Sequence, residues 1–144
     1  WPNRLMIEAP RQVFMARWKE GGFINHKGQL VIVAPSQVVG IEGLPMLSGP
    51  TGNAWAMSQL FQQMSWLVGR DDLTIVELFM ARRGAVELRL QNGIILVLGR
   101  DQILPRLQRL MTVYRSHFVT KSDTIKRIDG RYPYGVSVAW KEVN

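Results

Sequence analysis

The side chains that most often carry acid–base or metal chemistry are few in this sequence. It has two histidines, His26 and His117, and no cysteine. Neither histidine has a second one at metal-ligand spacing or stands in an HExxH motif, so we interpret them as histidines of a turn and of a helix end. The neighbouring carboxylates Asp71 and Asp72 fall between a predicted helix and a predicted strand. Such adjacent pairs usually belong to a turn, whereas the paired acids of glycosidases come from separate elements.

The sequence also lacks the motifs that mark nucleophilic catalysis and phosphate binding. No GxSxG, GxxxxGK[ST] or GxGxxG pattern occurs in it. With no thiol and only two imidazoles, little remains from which a nucleophile, a base and an orienting group could be assembled. We therefore expect a protein that is not an enzyme and that holds no cofactor or metal.

Basic residues, in contrast, are frequent, and most lie in the second half of the chain. The net charge is +7, and residues 73–144 carry twelve basic and six acidic side chains, against six and five in residues 1–72. Such a surface fits nucleic acid, an anionic membrane surface or an acidic protein, or is a solvated face without a partner. Since no RNP, helix-turn-helix or KH pattern accompanies the charge, we do not expect nucleic acid. The clustered residues are Arg82, Arg83, Arg106, Arg109, Arg115, Lys126 and Arg127.

Length and composition indicate one globular domain. The 144 residues are 47% apolar and 20% charged, which argues against disorder. A chain of this size buries roughly 70% of the surface that its unfolded form exposes. No apolar run reaches the about 18 residues that span a bilayer, and no signal segment is recognisable. Because the sequence starts at Trp1, we expect it to be a piece of a longer chain.

Periodicity predicts short strands and one helix in the first half of the chain. A strand is predicted at residues 13–18, and the turn Asn25–Gly28 predicts a hairpin between short strands on either side. Residues 34–53 hold four glycines and three prolines and are predicted to be a connector without a helix. An amphipathic helix follows, with Asn53 as N-cap and Gly69 just past its end. Its apolar face is Met57, Leu60, Phe61, Met64, Leu67 and Val68.

The second half predicts five strands and a second helix. Asn92-Gly93 predicts a type I′ hairpin turn, and Asp101 is the predicted N-cap of the helix. The order of elements predicts an α+β domain in which two amphipathic helices cover an antiparallel or mixed sheet that ends in an edge strand. The predicted strands are 73–81, 86–90, 94–98, 125–132 and 136–140; the helix directs Ile103, Leu104, Leu107, Leu110, Met111 and Tyr114 inward, and Arg106, Arg109 and Arg115 outward.

The last predicted strand has the features of a partner-binding edge. Trp140 stands four residues before the end of the sequence, so little chain remains to pair with this strand. Residues 132–140 are uncharged and combine small side chains with large aromatic ones, which favours addition of a partner strand. Alternatively, Val136, Val138 and Trp140 fill the core and twist blunts the edge; the composition leaves both interpretations open.

Several short motifs stand along the chain in a specific order and spacing. They are ARW at 16–18, LPMLSGPTG at 44–52, ARR at 81–83, LQNG at 90–93, LGR at 98–100 and RYP at 131–133, with Gly135 and Trp140. Together these motifs resemble the periplasmic part of the FtsQ/DivIB family of bacterial cell division proteins. The resemblance covers nearly the whole chain and is greatest to the gammaproteobacterial members. Two residues depart from the family pattern: Tyr134 replaces a small polar residue in a turn, and Phe14 stands where proline is usual.

The resemblance implies a non-catalytic divisome scaffold, anchored in the inner membrane by a single helix that this sequence lacks and facing the periplasm at the septum. Residues 1–12 would be the end of a POTRA domain, and residues 13–144 the β domain. The implied partners are FtsB and FtsL. In the family, FtsB adds a strand to the terminal strand, and its acidic side chains meet arginines. The resemblance implies that this binding contributes to the control of septal peptidoglycan synthesis. The matching residues are Arg82, Arg131, Tyr132, Gly135, Val136, Ser137, Val138, Ala139 and Trp140. The alternative is a basic periplasmic module that binds an anionic membrane surface or another acidic partner.

Overall fold

A computed structural model describes residues 10–142 and contains nine strands and two α-helices. Most of the predicted POTRA remnant, residues 1–12, lies outside the described residues. The strands are β1 Ala16–Trp18, β2 Phe23–Ile24, β3 Leu30–Val31, β4 Met46–Ser48, β5 Ile75–Met80, β6 Val86–Leu90, β7 Ile95–Gly99, β8 Ile125–Asp129 and β9 Ser137–Trp140. The helices are α1 Ala54–Gly69 and α2 Ile103–Val113; a π turn, Tyr114–Phe118, and a 3-10 segment, Val119–Thr124, extend α2 toward β8.

The strands form one mixed sheet in the order β3-β2-β1-β4-β5-β6-β7-β8-β9, so the predicted α+β class is confirmed. Parallel pairing occurs between β1 and β4, between β4 and β5, and between β7 and β8. The other neighbours are antiparallel. Helix α1 connects the parallel strands β4 and β5, and α2 connects β7 and β8, because parallel neighbours need a long crossover whereas antiparallel neighbours need only a tight turn.

Strand β4 is the one element of the sheet that the sequence did not predict. It lies inside the predicted connector, and Leu47 at its centre is fully buried. Pairing with both β1 and β5 places this short strand in the interior of the sheet. The connector also contains two 3-10 turns, Pro35–Gln37 and Ile41–Gly43, but no α-helix among its residues.

The core lies between the two helices and one face of the sheet, as the helical periodicity predicted. Burial of these side chains, at about 1.5–3 kcal/mol for each large aliphatic or aromatic one, is the main stabilisation of the layered arrangement. From α1 it includes Met57, Met64 and Val68, and from α2 and its extension Leu107, Leu110, Met111 and Tyr114; Leu60, Phe61, Leu67, Ile103 and Leu104 pack around them, partly buried.

The predicted helix ends are only partly correct. Asn53 directly precedes α1, but its side-chain amide points to the Met80 sulfur at 3.6 Å instead of capping the helix. Gly69 belongs to the last turn, and the left-handed conformation that ends the segment falls on Asp72, with φ 60°. Helix α2 begins at Ile103 after Gln102, so Asp101 is not its N-cap.

The hairpin between β6 and β7 forms where predicted, with a different turn. Only Gly93 of the loop residues 91–93 has a positive φ, 95°, whereas a type I′ turn needs two such residues. The Gly93 N–H donates to the Leu90 carbonyl, and the Leu90 N–H donates to the Ile94 carbonyl. The loop is therefore the three-residue kind that closes with a left-handed glycine.

Candidate partner-binding edge

Strand β9 is an edge of the sheet, as predicted. It pairs with β8 on one side, and no strand within residues 10–142 pairs with its other side. The Lys141 N–H, just beyond the strand, donates to the Thr124 carbonyl at 2.8 Å. Since consecutive residues direct their backbone groups to opposite sides of a strand, the N–H and C=O groups of Val138 and Trp140 face the open side.

The side chains of β9 divide between the core and solvent. Val136 and Val138 are partly buried and pack against the core. Trp140 stays 46% exposed and meets Phe118 edge to face, with ring centroids 6.0 Å apart. Ser137 and Ala139 are exposed. The strand is thus anchored to its own domain while its edge and half of its tryptophan remain accessible.

The loop that leads into β9 carries two exposed tyrosines. Strand β8 ends at Asp129 and not at Tyr132, so residues 130–136 form a connection longer than predicted. Tyr132 is 48% exposed and Tyr134 is 98% exposed. Gly135 follows them, partly buried, in the same loop. Beside the open edge, the protein therefore presents aromatic surface of the kind that anchors protein interfaces.

Arg131 is not a free cation, because it pairs with Asp129 two residues earlier. Its Nη2 lies 2.6 Å and its Nε 2.9 Å from the carboxylate oxygens, and its backbone N–H donates to the same group at 3.0 Å. The hydrogen bonds from the Arg131 side chain lower the pKa of Asp129, against the smaller opposite effect of burial. The same pair raises the pKa of Arg131 above its ordinary value.

Arg82 lies in the turn between β5 and β6 and is exposed. The pairings Met80–Val86, Val86–Gly99 and Val97–Asp129 place this turn, the end of β7 and the end of β8 at the same end of the sheet. At about 4.8 Å between neighbouring strands, the backbones of Arg82 and Arg131 are roughly 10–15 Å apart across the sheet. The exposed cations of this basic end are Arg82, Arg83, Arg100 and Arg131; Glu87, Asp101 and Asp129 are the acidic residues there.

Two arginines that were predicted to point away from the domain bond back to it. Arg106 donates from Nη1 to the Leu98 carbonyl at 2.7 Å. Arg109 donates to three carbonyls of the β8–β9 loop. The outward prediction is therefore wrong for both residues, whose long side chains turn back toward backbone carbonyls of the domain. Arg115 is exposed as predicted and pairs with Asp71 at 2.8 and 2.9 Å.

The candidate acid–base residues are not brought together. His26 is exposed in the turn before β3, and His117 is exposed in the π turn. Asp71 and Asp72 lie in the turn after α1, which agrees with their interpretation as turn residues. Within residues 10–142, no three histidine or carboxylate side chains cluster closely enough to hold a metal ion. None of the helices in this part of the chain has the length and apolar character needed to cross a membrane.

Comparison with known proteins identifies the family. The family described as "Cell division protein FtsQ/DivIB, C-terminal" matches residues 16–131. A cell division protein FtsQ of Cellvibrio japonicus is 32% identical over 99% of this chain and 44% of its own length. The FtsQ of Escherichia coli is 32% identical over 97% of the chain and 51% of its own length, and that of Shewanella oneidensis 35% over 97% and 52%. The chain thus spans about half the length of the curated relatives it matches, and it belongs to the FtsQ/DivIB family of cell division proteins.

Proposed function

We propose that this chain is the partner-binding part of a non-enzymatic divisome scaffold, and that β9 receives a strand of FtsB from the FtsB/FtsL complex. The observation that carries the proposal is the open backbone edge of β9, beside half-exposed aromatic side chains. Membership in a cell division family supports the divisome role. Through this contact the protein helps to control septal peptidoglycan synthesis. The proposed contact residues are Arg82, Arg131, Tyr132, Gly135, Val136, Ser137, Val138, Ala139 and Trp140.

The proposed place of the domain in the cell follows from the same family. The whole protein is a single-pass protein of the inner membrane, and this part of it faces the periplasm at the septum. Residues 1–12 are the end of a POTRA domain that precedes the β domain. In the structure, Gln12 bridges to the β domain, since its N–H donates to the Gln37 carbonyl and its carbonyl accepts from the Val39 N–H.

Strand addition uses both kinds of interaction that the edge offers. Each new ladder hydrogen bond contributes about 0.5–1.5 kcal/mol net, and the N–H and C=O groups of Val138 and Trp140 are available for them. Covering Tyr132 and Trp140 adds apolar burial, and the basic end attracts an acidic segment and orients it. Backbone bonds supply affinity for any extended chain, so the aromatic and charged neighbours supply the specificity.

A proline substitution tests the edge directly. Val138→Pro removes a donor from the open side but keeps the ladder to β8, so the variant should fold. We expect it to bind the purified periplasmic FtsB/FtsL complex at least about tenfold more weakly in calorimetry. The variant loses one ladder hydrogen bond, and the proline ring obstructs the approach of a partner strand to the edge. A folded Val138→Pro domain that binds like the wild type contradicts strand addition.

The matched control is at the opposite edge of the sheet. Leu30 in β3 pairs with Ile24, and the Ile24 carbonyl accepts from Met15 on the side of β1. Leu30 therefore also directs its N–H to solvent, and Leu30→Pro should leave binding unchanged.

Amide exchange in the wild type gives a measurement that needs no variant. On binding, the Val138 and Trp140 amides should become protected, whereas the Lys141 amide is already bonded to Thr124. Flotation with anionic vesicles distinguishes the alternative function: salt-sensitive vesicle binding without FtsB/FtsL, and no binding of that complex, favours a basic membrane-surface module.

A further inference from the structure

One guanidinium holds the loop that presents the tyrosines. Arg109 Nη1 donates to the Pro133 carbonyl at 2.8 Å, and Nη2 donates to the Gly130 carbonyl at 3.0 Å and to the Tyr132 carbonyl. These bonds link the middle of α2 to a segment that belongs to no strand. We propose that Arg109 is a positioning residue that fixes the β8–β9 loop, and with it Tyr132, in the conformation that receives a partner strand; this inference rests on the proposed function.

The loop backbone lies against α2 closely enough for this contact. A Cβ at Gly130 would come within 3.0 Å of Leu110 Cδ1 and 3.6 Å of the Val97 carbonyl, so glycine permits the close approach. The Gly130 N–H donates to the Val97 carbonyl at 2.8 Å. The start of the loop is thereby fixed to β7, and Arg109 bonds the carbonyls of Gly130, Tyr132 and Pro133.

The contact needs the shape of arginine as well as its charge. Donors on two nitrogens of a planar fork reach three carbonyls, whereas a lysine ammonium presents its donors from a single point. Arg109 Nε is buried and has no partner, so the head group has lost water that only its other nitrogens replace with bonds. The bonds from Nη1 and Nη2 must offset this desolvation, and a single ammonium cannot place donors at two separate atoms, which indicates a site specific for guanidinium.

The role follows from what the loop would do without these bonds. Tyr132 and Tyr134 are exposed, and neither ring is held by the core. A loop that must be ordered on binding lowers affinity by the cost of ordering it, and a loop that is already ordered avoids that cost. Arg109 therefore acts on binding through Tyr132, without itself contacting the partner.

Amide exchange tests the structural half of the proposal in the free domain. In Arg109→Ala and Arg109→Lys, we expect the Gly130 and Arg131 amides to exchange at least about tenfold faster, while the β5 and β6 amides keep their rates. The control is Arg106→Ala, on the same helix, which removes the same charge from a carbonyl of β7 and not of the loop. Unchanged exchange at Gly130 and Arg131 in Arg109→Ala overturns the proposal.

A double-mutant cycle tests the functional half. Arg109→Ala should weaken binding of FtsB/FtsL about tenfold in the wild-type background and less than about twofold in Tyr132→Ala, since coupled residues are not additive. Arg109→Lys should behave like Arg109→Ala. Full binding by the lysine variant, or equal effects in both backgrounds, refutes positioning through Tyr132. If the wild type does not bind FtsB/FtsL at all, the proposed function fails, and the exchange measurement still decides whether Arg109 holds the loop.

Discussion

Replacing Tyr132 with alanine should weaken partner binding by about 2 kcal/mol without unfolding the domain. The side chain is 48% exposed in the free protein. A tyrosine can bury roughly 150–250 Å² in an interface, so about 100 Å² remains for a partner to cover. At about 25 cal/mol/Å², full cover is worth about 2.5 kcal/mol, and cover at a real interface is less complete. A loss of about 2 kcal/mol raises Kd about 30-fold.

Isothermal calorimetry with the purified FtsB/FtsL complex measures this change. Tyr132→Phe is the matched control, because it keeps the ring and removes only the hydroxyl; it should cost less than about 1 kcal/mol if the ring is the anchor. Thermal unfolding of both variants should stay close to that of the wild type, since the exposed half of Tyr132 supports no core. Wild-type affinity in Tyr132→Ala refutes the anchor, and an equal loss in Tyr132→Phe assigns the energy to the hydroxyl.

Two further predictions concern charge. Arg82→Glu and Arg131→Glu should each weaken FtsB/FtsL binding and make that binding less dependent on salt concentration. The control Lys27→Glu, in the turn before β3, should change neither. Normal binding by both arginine variants would show that electrostatic attraction does not contribute to binding. Because the pKa of Asp129 is lowered in the folded state, its ion pair contributes stability above about pH 4, and that contribution is lost as the pH falls through the lowered value. Asp129→Asn should therefore unfold at a lower temperature than the wild type at pH 7, and the difference should shrink toward pH 2; a difference independent of pH contradicts the assignment.

The elements that sequence reasoning located are those with a regular period and a clear turn. Both helices have apolar side chains every three to four residues, and the strands around Asn92-Gly93, alternating in Val86–Leu90 and continuously apolar in 94–98, flank a clear glycine turn. Strand β4 has only three residues between Pro45 and Gly49 and no room for a period. Its structure comes from pairing with β1 and β5, which are distant in sequence, so local pattern cannot reveal it.

The candidate site was predictable in its backbone and less so in its charges. The predicted edge position of β9 agrees with the sheet order, in which no strand within residues 10–142 lies beyond it. Arg109 was predicted to point outward, but it bonds back to the domain, and these bonds depend on the path of a loop more than 20 residues away. The Asp129–Arg131 pair did have a signal, because two opposite charges stand two residues apart in the sequence. Because the strand was predicted to continue to Tyr132, the change from strand to loop after Asp129 was not predicted.

The proposed contact would add a tenth strand to the sheet and would leave that added strand as the new edge. A strand added beside β9 would itself have an outer side with unsatisfied amides and carbonyls, so the hazard of uncontrolled stacking moves outward to the newcomer. The added segment must therefore carry a feature that protects its own outer edge, such as a proline, a charge or a covering helix. The position of that feature limits how many residues of the segment can pair with β9.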